Sequence, residues 1–320
     1  MSDRTCVTLF VPGTPKSLAE WRRALAKKKL TVSRGVLSGL GFDVQVEFVK
    51  NDGSFGGAFS FGTVEADQLA EIDAAPGALV LSLPVELHHG RKVVSKLAKV
   101  LEACGALAIR IEQSKLGFAI GRWRELMDAD DPWALYRLAV VMLGGGENVT
   151  TCGMHVFSLP DAQMNLDDDT DAAAANDFLG SLNVYQLAED PLLLTGHRFA
   201  PDPETPQRAL ERWPDATYDA DHACHNPFGV WRVGAPNSPP HGPDSLAYVF
   251  MPSLAAVLTA AEKKAGKKLT KKQVETIRDS SSCVAMEHRE AQRMERKRGY
   301  ADLEPSLAWE QWQVLRSVMR

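Results

Sequence analysis

No stretch of this 320-residue chain approaches the roughly 18 to 20 consecutive apolar residues that a membrane-spanning helix needs. Its opening, Met1-Ser2-Asp3-Arg4-Thr5, carries no apolar run of signal-peptide length. A cytoplasmic chain without membrane contact is therefore expected. Cysteine is scarce: there are five, Cys6, Cys104, Cys152, Cys224 and Cys283. Their odd number and the lack of a C-x-x-C pair argue against a disulfide framework and for reduced thiols. Gly-x-Ser-x-Gly is missing, which removes the commonest serine-nucleophile signature. The glycine clusters Gly56-Gly57 and Gly144-Gly145-Gly146 lack the Lys-Ser/Thr of a phosphate loop. Positive charge is also short, 36 Lys and Arg against 41 Asp and Glu, and the deficit is uneven. Up to Phe250 the count is 22 against 32, and from Met251 onward it is 14 against 9. An acidic body repels phosphate, so nucleic acid is not an expected partner, whereas a basic protein is.

What is present reads as an α+β fold. Val7–Val11 is β-rich and closed by Pro12-Gly13, and Ser17 is placed to cap a helix carrying Leu18, Trp21 and Leu25. Val44, Val46 and Phe48 alternate with polar residues as a half-buried strand does. Ala58–Gly62 is predicted as the next strand, a short helix follows over 65–72, and Gly77–Leu83 is apolar enough for a central strand. The helix 91–103, ended by Gly105, and the strand 106–111 continue the series. The order β-α-β-β-α-β is that of a split βαβ unit, and its recurrence predicts a duplicated ferredoxin-like sandwich over 5–200. The proline-rich segment 201–243 is expected as a connector. It leads to a small, mainly helical C-terminal part, 244–320, in which Ser253 and Thr270 cap helices and Trp309 and Trp312 face a core.

The densest stretch is Thr150–Met164, predicted as a strand, an exposed turn at Leu159-Pro160-Asp161 and a second strand, followed by a helix over 171–187. Candidate chemistry is thin. Asp167-Asp168-Asp169 suits a solvated helix start, where acidic charge complements the dipole. His88-His89 follows a strand end and precedes Gly90, a position that can hold ligand-binding residues. His222-Ala223-Cys224-His225 offers zinc-type ligands, and Cys152 with His155 is the other close Cys/His pair that could complete a site. Those five residues are the candidate metal ligands, with zinc as the candidate ion. They carry the alternative reading of the chain as a metal-dependent or Cys/His hydrolase.

Thr150-Thr151-Cys152-Gly153-Met154, with Phe157-Ser158-Leu159-Pro160-Asp161, then Phe178-Leu179, Leu182, Tyr185 and the Leu192–Phe199 segment, resembles a bacterial domain family of unknown function over roughly residues 5–199. That family shows Thr-x-Gly-Met/Leu and Phe-Gly-x-Pro-Glu before a helix. Ser158 stands here in place of its Gly and Asp161 in place of its Glu. No established activity comes with that family. The resemblance implies a protein-binding role, of the kind played by immunity or accessory proteins of bacterial toxin systems.

Overall fold

The structure, a computed structural model, describes residues 7–166, 170–236 and 247–319. It is α+β, with two compact units. Residues 7–141 with Cys152–Phe157 form the first; Met142–Thr151 with residues 158–319 form the second.

The first unit begins with β1 (Val7–Gly13) and α1 (Leu18–Ala26), whose start is held by Ser17 Oγ accepting from Glu20 N. A hairpin of β2 (Thr31–Ser33) and β3 (Val36–Ser38) leads into β4 (Val44–Lys50), and then come α2 (Phe55–Ala58), α3 (Ala66–Asp73) and β5 (Gly77–Leu83). The unit continues through α4 (Arg91–Ala103), β6 (Ala108–Ile111), β7 (Gly117–Ala119), α5 (Ile120–Asp128) and α6 (Pro132–Ala139). Its sheet runs β2-β3-β4-β5-β1-β6-β7. Within it β4, β5, β1 and β6 are antiparallel neighbours in the order expected of a split βαβ unit. Gly105 ends α4 with a φ of +99°, a conformation that costs glycine little.

The predicted strand 58–62 is corrected: α2 occupies its start. Phe55 and Phe59, four residues apart, both turn into the core around Phe10, with ring centroids 5.0 and 6.2 Å from it. Helical spacing serves both burials at once, and the strand reading would have sent Phe61 inward, where it is exposed.

The second unit opens with β8 (Val141–Gly145), β9 (Asn148–Cys152) and β10 (Asp161–Asn165), followed by α7 (Ala172–Glu189), β11 (Arg198–Phe199), β12 (Arg208–Trp213) and β13 (Val230–Pro236). The sheet order is β11-β12-β13-β10-β9-β8, and β10 and β13 are parallel. A parallel pair needs a crossover, and α7 lies in that connection. Asp171 caps it through Ala174 N at 2.8 Å. Ala175, Phe178, Leu179 and Leu182 of α7 pack on Ala162, Met164, Leu210, Trp231 and Val233 of the sheet. The Asp167–Asp169 reading lies outside the described residues.

The segment read as a connector contains β12 and β13, and β13 sits inside the sheet. Its prolines are compatible with strands because they fall at their ends: Pro201, Pro203 and Pro206 precede β12, Pro214 follows it, Pro227 precedes β13 and Pro236 closes it.

The chain ends with β14 (Ala247–Phe250), α8 (Leu254–Ala265), α9 (Lys271–Ser280), β15 (Cys283–Met286), α10 (His288–Arg298) and α11 (Ala308–Val318). Ser253 and Thr270 cap α8 and α9 as the sequence predicts. Phe250, Leu254, Leu258, Leu269, Val274, Leu303 and Trp312 make one apolar cluster. This C-terminal part is tied to the sheet segment by Gln311 Nε2 donating to Arg212 O (2.9 Å), Ala220 N to Val318 O (2.9 Å) and Ala301 N to Pro227 O (3.0 Å).

Candidate functional site

The turn at Leu159-Pro160-Asp161, predicted to be exposed, is buried, and this is the main correction to the reading of the central stretch. Asp161 keeps 3% of its surface exposed because a polar network receives it. Its Oδ2 accepts from Asn226 Nδ2 at 2.6 Å. Thr151 Oγ1, 3.2 Å from Asp161 Oδ1, already accepts from Ala162 N (2.8 Å) and Asn183 Nδ2 (3.0 Å), which leaves its proton for the carboxyl. Gln186 continues the chain of bonds from Asn183 Oδ1 to Trp231 Nε1. Buried polar groups need such satisfaction, and the network fixes β9, β10, α7 and β13 to one another.

Two of the sequence-derived ligand candidates also serve the fold of the second unit. His225 Nδ1 lies 3.1 Å from Tyr218 O and 3.6 Å from Asp215 Oδ2. His222 Nδ1 accepts from Cys224 N at 3.2 Å, and its ring stacks on Tyr218 with centroids 4.7 Å apart. Cys224 is buried. In the first unit, the buried Cys152 thiol donates to Gln113 O at 3.5 Å, and His155 is buried in the 3-10 turn Met154–Phe157.

Among the described residues, one set of three His, Cys, Asp or Glu side chains has its ligand atoms mutually within 4.8 Å: Glu86, His88 and His89. It contains none of those five candidates. The histidine pair was visible in the sequence, but Glu86 was not, because nothing local shows that its side chain turns back to His89, 2.6 Å from Nδ1.

The second unit also exposes large apolar side chains. The antiparallel β14–β15 ribbon is a two-stranded sheet of its own, with Phe250 opposite Cys283, Val249 opposite Val284 and Tyr248 opposite Ala285. Phe250 is anchored in the apolar cluster, whereas Tyr248 on the same face is 56% exposed, Val284 on the opposite face is 47% exposed, and Met251 just past β14 is exposed too. Among the described residues neither outer edge of the ribbon has a strand neighbour. Beside it, α10 carries Arg289, Arg293, Arg296, Lys297 and Arg298 against Glu290 and Glu295, and Arg298 Nη2 reaches Phe250 O at 3.5 Å.

Glu295 of α10 faces Arg212 of β12 at 3.8 Å, and Arg212 also donates to Phe228 O and lies over the Trp231 ring. Burial pushes the Glu295 carboxyl above its usual range, an effect Arg212 partly offsets. A raised folded value means that the group's stabilising contribution is complete below its unfolded value of about 4.5 and is lost as pH rises through the folded one. Glu295→Gln should therefore gain stability relative to the parent as pH rises from that value toward neutrality. Urea midpoints taken across that range check this, and a difference that does not vary with pH would contradict it.

No protein-family model matches this sequence, and no curated protein and no solved structure matches it either.

Proposed function

We propose that the protein acts without turnover, by binding a protein partner that adds an extended strand to the β14–β15 ribbon. The observation that carries this reading is a two-stranded sheet whose outer edges have no strand neighbour among the described residues and which exposes large apolar side chains, Val284 on one face and Tyr248 on the other. Unpaired N–H and C=O groups beside large apolar side chains are the surface on which strand addition operates, with the backbone supplying affinity and alternate side chains supplying selectivity. The net negative charge of residues 1–250 suggests a basic partner. The ribbon has different surroundings, five basic against two acidic residues on α10, so the docking segment it favours is apolar with acidic flanks. An immunity-like or accessory role in a bacterial toxin system is a narrower form of the same proposal and rests on the resemblance of the 150–199 region. In a purified complex, amide hydrogen exchange should slow at 247–250 and 283–286. Unchanged exchange there, with protection elsewhere, would move the interface off the ribbon.

A further inference from the structure

We propose that Glu86, His88 and His89 form a binding site for a divalent transition-metal ion of the zinc type. Each contributes one ligand atom, and the three atoms already lie within 4.8 Å of one another. Four-coordinate zinc, with bonds of about 2.0–2.2 Å, needs its ligands roughly 3.3 Å apart. Glu86 Oε2 and His89 Nδ1, now 2.6 Å apart, have to separate by about 0.7 Å to admit the ion. The imidazole rings of His88 and His89 are neighbours with centroids 3.7 Å apart. One carboxylate with two imidazoles is a donor set suited to zinc, and three protein ligands leave a position for water.

The backbone holds this set in place. The ligands sit on the turn between β5 and α4, where Gly90 N donates to Glu86 O at 2.8 Å. Between them Leu87 is fully buried, and its N–H donates to Val156 O at 2.8 Å. Leu87 therefore pins the loop from below. A side chain at Gly90 would crowd Val85 Cγ2 and Glu86 O, at 3.0 and 3.1 Å, so glycine lets the turn close without displacing either. His89 is exposed and Glu86 and His88 are half-buried, so an ion can reach the site without unfolding.

The test is titration of the metal-stripped full-length protein with zinc, followed by calorimetry and by competition with a chromophoric chelator. One equivalent should bind. His89→Ala and Glu86→Gln should each weaken it by at least about tenfold, the loss that removing even an outer-shell partner commonly causes. Both positions are accessible enough for the fold to survive, and unchanged circular dichroism checks this. Cobalt(II) gives a second readout: d–d absorption without a thiolate charge-transfer band is expected from this oxygen and nitrogen donor set. Absence of a stoichiometric site, equal affinity in both variants, or a thiolate band lost on Cys224→Ser or Cys152→Ser would each overturn the proposal.

Discussion

Asn226→Leu is expected to destabilise the protein by about 3–5 kcal/mol, because it removes three buried hydrogen bonds at once, one of them to the Asp161 carboxyl. Asn226 is 1% exposed. Its Nδ2 donates to both Asp161 Oδ2 (2.6 Å) and Leu159 O (3.0 Å), and its Oδ1 accepts from Phe228 N at 2.9 Å. Leucine fills similar space and supplies none of these bonds, so packing does not compensate. Asn226→Asp separates the electrostatic cause from the steric one. The introduced carboxyl must sit against Asp161, and one of the two must hold a proton. That variant should recover stability as pH falls and lose it as pH rises, and more steeply than the leucine variant, which holds one carboxyl there instead of two. Urea unfolding followed by circular dichroism at two pH values decides; a leucine variant within 1 kcal/mol of the parent, by roughly the cost of a neutral hydrogen bond, would show that the network contributes little.

Trp312→Ala carries the second large effect, also about 3–5 kcal/mol. The indole is 2% exposed and fills the cluster of Phe250, Leu254, Leu258, Leu269, Val274 and Leu303 that joins α8, α9 and α11. Among the described residues Trp312 Nε1 has no hydrogen-bond partner. Its contribution is therefore apolar area and volume, and Trp312→Phe should cost only about 1 kcal/mol, since the smaller ring leaves a small cavity and breaks no bond. Equal losses in the two variants would point to a polar role for the indole instead. The cluster also holds Phe250, so the alanine variant should loosen the root of the ribbon. Faster exchange at residues 247–250 would register that.

Local chemistry made much of this architecture legible. Ser17, Ser253 and Thr270 each precede an apolar-periodic run and each caps a helix. The alternation in 44–48 and the apolar run 77–83 placed the antiparallel neighbours β4 and β5. What could not be read depends on long-range partners. Asp161 resembles a turn residue until Asn226, 65 positions later, is seen to bond it. Proline density in 201–243 masked β12 and β13, since proline is counted as a breaker before its position at a strand end is known. β15, only Cys283-Val284-Ala285-Met286, is too short to show a period and becomes a strand by pairing with β14. Of the Glu86–His88–His89 set, adjacency in sequence exposed the histidines, and the return of the Glu86 side chain needed the folded turn.

The claim that the protein works through its ribbon is tested most directly by partner retention. Wild type and a Tyr248→Glu, Val284→Glu double variant would be purified from the native host under identical mild conditions and compared by quantitative mass spectrometry and sedimentation. Both substitutions are at exposed positions, so thermal unfolding should be unchanged. The expected result is a stoichiometric partner with wild type that the double variant loses, with partner cross-links mapping to 247–250 or 283–286. Equal retention by the two proteins, or a complex containing only copies of this chain, would contradict it.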